Sequence, residues 1–233
     1  MLEGQEWSLN YDRWTLTKSS FVKARQCAKL LYLYTFKREE QTPVSKELQR
    51  VFDRGHSFED HVRQHGFPGG INVKEAVSKF AYLNSYTKQA LSEPGSKVLY
   101  EATFIENEVL VMCDILTKDE DGFIDVYEIK LNRNLNEAIW NDLAIQYTIC
   151  KQRFGNKLRS FNAILREDES GQRWTVTDMT ERLDLKVNQV QDQIVEFKNV
   201  LENQEPEINM GEHCNKPYTC AFKEYCTRLK RSA

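Results

Sequence analysis

No stretch of this chain is apolar over anything like the twenty or so residues a membrane-spanning helix needs. The first residues, Met1-Leu2-Glu3-Gly4-Gln5-Glu6-Trp7, have neither the basic nor the apolar region of a signal peptide, so a cytoplasmic address and no membrane partner are expected. There is also no excess of positive charge. Lys and Arg number 32 against 35 Asp and Glu, a net −3, so no global basic field advertises a polyanion. Local basic groups (Lys151, Arg153, Lys157 and Arg159; Arg228, Lys230 and Arg231) read as solvated surface. Internal repeats, low-complexity tracts and Gly- or Ser-rich linkers are missing too. The 233 residues are therefore expected to form a single domain, 1–233.

What is present is a regular alternation of helical and extended patterns. Thr17-Lys18-Ser19-Ser20 reads as a helix start, and Phe21, Ala24, Cys27, Ala28, Leu31 and Tyr32 continue it at helical spacing. A second helix is expected to open near Thr42-Pro43 and end at Gly66-Phe67-Pro68-Gly69-Gly70. A third is expected over 74–92. Strands follow at 97–105, 109–116 and 123–130, then a helix over 135–154, strands at 161–165 and 174–176, and a last helix over 186–204. His61 and His65 lie four apart on the second helix, but Val62 stands where the metalloprotease pattern needs Glu, so both read as surface residues.

Two of these strands carry charge where a strand should be apolar. Asp114 lies in Val109-Leu110-Val111-Met112-Cys113-Asp114-Ile115-Leu116. Glu128 and Lys130 lie in Phe123-Ile124-Asp125-Val126-Tyr127-Glu128-Ile129-Lys130, after a turn carrying Asp121-Gly122. Burying charge without a partner is costly. Alternation along a strand puts Glu128 and Lys130 on one face. If Asp114 points the same way, two carboxylates and an ammonium converge, a group suited to magnesium or manganese and a water. The bland alternative is a pair of edge strands whose acids face solvent.

The element order helix, three strands, helix, strand, with its charged residues, resembles the PD-(D/E)XK phosphodiesterase superfamily, and within it the RecB-like nucleases. Arg54-Gly55-x-x-x-Glu59 is similar to the first motif of that branch, Cys113-Asp114-Ile115 to the second and Glu128-Ile129-Lys130 to the third. Gln146 occupies the helical glutamine motif. The resemblance covers roughly residues 17–226. Many relatives have histidine where Glu59 stands, and the usual tyrosine a turn after the glutamine is replaced by Cys150; Tyr147 is adjacent. The resemblance implies an α/β fold with an αβββαβ core, a central mixed sheet flanked by helices. It also implies a magnesium-dependent DNA nuclease, in particular an exonuclease on DNA ends or single strands. Asp114, Glu128 and the Ile129 carbonyl would hold the ion, with Glu59 near them. Lys130 would position the attacking water, Gln146 would orient Lys130 or meet the DNA backbone, and Tyr147 and His56 would contact substrate. A helicase or other nucleic-acid-processing partner fits the same picture.

Six cysteines in a chain of this expected address argue against disulfides and for metal binding or burial. Cys113 and Cys150 read as small buried hydrophobes. Cys214, Cys220 and Cys226 form a different object, Cys214-x5-Cys220-x5-Cys226, whose fourth ligand can come from Cys27. One cysteine before the nuclease core and three after it resembles the iron–sulfur members of the RecB-like group. That implies a structural [4Fe–4S] cluster joining segments near 17–36 and 211–228. Zinc, with Cys27 or His213 completing the set, is the alternative. A non-cleaving nucleic-acid-binding module of the same fold and a zinc-stabilised interaction domain are the rival functions.

Overall fold

A computed structural model describes residues 14–232, with side chains through Lys230; the Met1–Trp7 stretch and the Arg231 side chain lie outside the described residues. The chain opens with β1 (Leu16–Thr17), α1 (Lys18–Gln26) and α2 (Ala28–Phe36). Thr17 caps α1 reciprocally with Ser20: Ser20 N–H donates to Thr17 Oγ1 at 3.1 Å, and Thr17 N–H to Ser20 Oγ at 2.8 Å. The continuous helix expected here breaks at Cys27, which is extended (φ −165°, ψ 125°). Its N–H still donates to the Lys23 carbonyl, and its own carbonyl accepts from Leu31. Apolar periodicity does not register a one-residue break that keeps its neighbours' hydrogen bonds.

Next comes α3 (Lys46–Gly66), capped by Ser45 and not by Thr42-Pro43. The Thr42 N–H is taken by the Ala221 carbonyl at 2.8 Å, which holds that stretch extended against the C-terminal segment. The helix buries only Phe58, Val62 and Arg63, so its first three turns stand clear of the body. After β2 (Ile71–Asn72), the single helix expected at 74–92 is instead α4 (Val73–Ala76), a 3₁₀ turn and α5 (Leu83–Ser92). Val73 and Leu83 are each fixed in the core, while Phe80 between them is half exposed.

The centre is β3 (Lys97–Glu106), β4 (Val109–Lys118) and β5 (Ile124–Lys130), an antiparallel meander. Then follow α6 (Glu137–Phe154), β6 (Leu158–Arg166) parallel to β5, β7 (Trp174–Asp178) antiparallel to β6, α7 (Thr180–Asp184), α8 (Val187–Glu202) and α9 (Lys223–Ser232). The strand order is β2-β3-β4-β5-β6-β7, with β1 beside β4. The molecule is thus α/β, a mixed sheet flanked by helices. Its main core joins α1, α6 and α8 to the sheet through Phe21, Leu143, Ile149, Phe161 and Phe197. A second core packs Phe58 and Val62 of α3 against Ile115, Ile129 and Ile164. Here the alternation of Ile115, Tyr127 and Ile129 away from Asp114 and Glu128 is the fact that positions the site.

One irregularity matters more than the rest. β4 pairs with β5 only over Ile115–Lys118 and with β1 only over Val109–Leu110. Between those stretches β4 has no ladder partner on that side, so the sheet forks, and Asp114 stands at the fork.

Candidate active site

At the fork, the Asp114 side chain does what a neighbouring strand would have done. Its Oδ2 accepts from the Ile129 N–H at 2.7 Å; Asp114 is one residue and Ile129 two residues beyond the last β4–β5 ladder pair, Ile115–Tyr127. That bond fixes the carboxylate against the end of β5, where Glu128 and Lys130 emerge. Glu128, 1% exposed, accepts at Oε1 from both Lys130 Nζ (2.7 Å) and Lys18 Nζ (2.8 Å). Lys130 also pairs with Asp142 of α6, and Lys18 Nζ lies 3.7 Å from the same Asp142 oxygen. Glu128 Oε2 is fully buried and has no hydrogen-bond partner. Buried carboxylate oxygens are nearly always satisfied, which sets this one apart from the other carboxylate oxygens of the fork.

The electrostatics separate the two carboxylates. Burial, reinforced by the charge of Glu128, pushes the Asp114 carboxyl well above its ordinary range despite Lys18 and Lys130. Burial acts on Glu128 in the same sense, but Lys130 and Lys18 overcome it and hold that carboxyl down at about 2. The two ammoniums also lose to burial and gain more from Glu128 and Asp142, so both sit above the usual lysine range. The surroundings thus favour the charged form of Glu128 and the protonated form of Asp114.

A second charged network supports Asp114 from behind. Arg63 of α3 donates from Nη2 to Glu59, to Glu101 Oε1 at 2.8 Å and to the Asp114 carbonyl at 3.3 Å. Lys74 reaches the other Glu101 oxygen at 2.6 Å. Burial raises the Glu59 carboxyl in spite of Arg63, whereas Lys74 and Arg63 hold Glu101 low against burial. Glu101 has φ 56°, left-handed backbone in mid-strand, and it interrupts the β3–β4 ladder between Tyr100↔Ile115 and Ala102↔Cys113, directly across from Asp114. Such non-glycine outliers persist only where the surroundings over-determine them.

Asp114, Glu128, Lys130 and the Ile129 backbone thus come together, with Glu59 close enough to act electrostatically on the two acids. Gln146 is fully buried; among the described residues its side chain makes one long hydrogen bond, 3.5 Å from Nε2 to the Asp142 carbonyl, and its Oε1 has no partner. The residue that orients Lys130 is Asp142, one turn earlier on α6. Tyr147 is buried in the core and donates its hydroxyl to Asp184, while His56 is exposed on the free part of α3. Sequence reasoning missed Lys18, Arg63, Glu101 and Asp142. Lys18 had a usable signal, since it follows a helix cap directly; the others are ordinary charged residues until the fold brings them in.

The six cysteines fall in two places, and Cys214 is buried as Cys113 and Cys150 are. Cys113 and Cys150 are fully buried, with sulfurs 3.5 Å apart. Cys27, Cys214, Cys220 and Cys226 all line one cavity of about 20 Å³, together with Leu30, Leu33 and His213. Burial raises the Cys220 and Cys226 thiols. Among the described residues no three His, Cys, Asp or Glu side chains form a ready-made metal-holding group. No described helix is long and apolar enough to cross a membrane. The local basic clusters are partnered: Lys151 by Asp184, Arg153 by Glu106, Arg159 by Asp119 and Asp125, Arg228 by Glu40.

No family model matches the sequence, and no curated protein does. Among solved structures, the crystal structure of SSO0001 is similar over 91% of this chain and 85% of that one, at 12% identity and a TM-score of 0.40.

Proposed function

We propose that this protein is a magnesium- or manganese-dependent DNA nuclease of the PD-(D/E)XK superfamily, RecB-like branch. It would act as an exonuclease on DNA ends or single strands, in the cytoplasm and alongside a helicase or another nucleic-acid-processing partner. One observation carries the reading: the partnerless, buried Oε2 of Glu128 at the fork of the sheet, with Asp114 and Lys130 beside it. An oxygen-only donor set of this kind suits a hard divalent cation. Asp114, Glu128 and the Ile129 carbonyl would hold it, and when bound it supplies Lewis-acid polarisation of the phosphoryl oxygen and a more acidic water. The chain's own groups do the rest. Lys130, kept protonated and fixed by Asp142, presents a preorganised ammonium to the charge that grows on the phosphate. Lys18 adds a second from α1. Asp114 is held by the Ile129 N–H, so the site needs little rearrangement. Cleavage of labelled single strands and duplex ends with and without magnesium tests the reading. Strand binding without any cleavage would identify a non-cleaving module instead.

For the cysteines, the same proposal assigns Cys27, Cys214, Cys220 and Cys226 to a structural [4Fe–4S] cluster. Their shared lining of one cavity supports a common ligand. A specific observation favours zinc as the second reading. The cavity, about 20 Å³, has room for a single ion and not for a cubane without movement of the loop, and His213 lines it as well. Visible absorbance and metal analysis of anaerobically purified protein separate the two.

A further inference from the structure

Helices α1 and α6 each contribute a charged group to the fork, Lys18 and Asp142, and the same two helices form a second concavity with α8. This cleft, about 480 Å³, is bordered by Phe21, Arg25, Trp140, Asn141, Lys186 and Gln189. Two cations border it, Arg25 and Lys186. The Arg63, Arg153 and Arg159 guanidiniums all have carboxylate partners. No hydrogen bond or ion pair joins the Arg25 side chain to another described residue, and its Nε is shut off from solvent with no partner at all. Lys186 is likewise without a described partner. Trp140 is half-buried at the edge of the core.

Glu137 borders the cleft too, but no ion pair joins it to Arg25 or Lys186, so the guanidinium and the ammonium are left to take an anion. An indole beside carboxamides calls for a flat, polar ring. A nucleotide joins the two in one ligand. Arg25 lies seven residues beyond Lys18, two turns or about 10 Å along the same face of the helix, whereas Trp140 and Asp142, two apart, occupy opposite sides of α6. A strand with one phosphate at the fork would reach the cleft along α1 with a neighbouring nucleotide. A base stacked inside a duplex cannot enter it.

We propose that this cleft is a subsite for single-stranded nucleic acid, taking the phosphate next to the cleaved bond on Arg25 and Lys186 and stacking its base on Trp140. The inference rests on the nuclease reading for its direction but not for its test. Binding of a labelled single-stranded oligonucleotide to the full chain in EDTA, where hydrolysis does not proceed, reads the cleft directly. Arg25→Gln and Trp140→Leu should each raise Kd about ten-fold, with Trp140→Phe recovering most of the loss and thermal melting confirming the fold. Because Trp140 packs on the core, Arg25→Gln is the variant that decides if Trp140→Leu misfolds. Wild-type strand affinity in Arg25→Gln and in folded Trp140 variants overturns the subsite, and so does failure of the wild type to bind a single strand. A free nucleoside monophosphate bound as tightly as the strand overturns the strand assignment. Cleavage by a wild type whose cleft variants bind normally leaves the nuclease reading standing alone. Binding lost in Arg25→Gln, in a wild type that never cleaves, keeps the subsite and sinks the nuclease reading.

Discussion

In the acidic fork, Lys18, Lys130, Arg63 and Lys74 each lie against a carboxylate, and Asp114 is pinned by a backbone N–H. Around the cysteine cavity the thiols have almost nothing: Cys220 accepts a 3.4 Å bond from the Phe222 N–H, and no such bond is described for Cys27, Cys214 or Cys226. Yet the walls of that cavity are tied together without them. Glu205 receives Lys29 and Lys37, each at 2.9 Å, and the Tyr225 hydroxyl, also at 2.9 Å, and these hold its carboxyl at about 2 against burial. Gln26 donates to the carbonyls of His213 and Tyr218. The fork is thus a site whose own groups fix its geometry in advance. The cysteine cavity is fixed by its surroundings, and its thiols are left available for a ligand. A metal would complete the first and be completed by the second.

The largest expected effect breaks the fork. Glu128→Ala removes the partnerless oxygen and leaves Lys18 and Lys130 to share Asp142 alone, so magnesium-dependent cleavage should fall by at least about a thousand-fold. Asp114→Ala should do the same. Because one partner of a buried ion pair is lost in Glu128→Ala, stability should drop as well, by roughly 3–5 kcal/mol, whereas Asp114→Ala should melt closer to wild type. Full activity in either variant, assayed on labelled DNA, removes the fork from the chemistry. The Glu128 carboxyl is depressed in the fold, so its stabilisation is present above its ordinary 4.5 and is lost as pH falls through about 2. Asp114 runs the other way: its raised carboxyl favours the fold when protonated, and that advantage is lost as pH rises. On the proposed reading a cation competes with a proton for Asp114, so half-saturating magnesium should decrease as pH is raised from acid towards neutrality. A flat magnesium requirement across that range would contradict the ionisation order of the pair.

The two lysines sharpen the same picture. Lys130→Ala should slow hydrolysis by about a hundred-fold with little change in magnesium affinity, since it removes a charge from the transition state and not a ligand. Lys18→Ala should cost about ten-fold. It is the more exposed of the two, and Lys130 remains on the same oxygen. Equal losses, measured as kcat, would mean the ammoniums share one role.

Much of the fork was legible because strand alternation is a strict period. Glu128 and Lys130 had to share a face, and an acid between Val111-Met112-Cys113 and Ile115-Leu116 needed a reason to be there. What alternation cannot give is the partner from elsewhere. Asp142 and Gln146 are one helical turn apart, and only packing decides that Asp142 holds Lys130 while Gln146 is enclosed. Arg63 and Glu101 were invisible for the same reason, and Glu101's left-handed backbone has no glycine to announce it. The cysteine group was legible by spacing, but not the break at Cys27. Helical periodicity runs unbroken through that residue although the backbone does not.

In the cysteine region, Cys27→Ser should lose bound metal and lower the melting temperature. The loss should be moderate and not a collapse, because Glu205, Gln26 and the Arg228–Glu40 pair still join the two ends. Metal content equal to wild type would remove Cys27 from the ligand set.

The smallest effect expected is at the pair that only packs. Cys113 and Cys150 touch each other deep between β4 and α6, remote from the cavity lined by the other four cysteines. Cys150→Ala leaves a void the size of one sulfur atom, and Cys150→Ser buries a hydroxyl whose natural acceptor, a helix carbonyl one turn back, is available to it. Either change should cost about 1–3 kcal/mol and leave both bound metal and nuclease activity at wild-type levels. The two regions would then be independent: a lesion in the main core lowers stability without touching either ligand. If metal analysis of Cys150→Ala shows a loss matching that of Cys27→Ser, the division of the six cysteines into packing and ligating sets fails. The cavity near α9 would then have to draw on the core that also carries the fork.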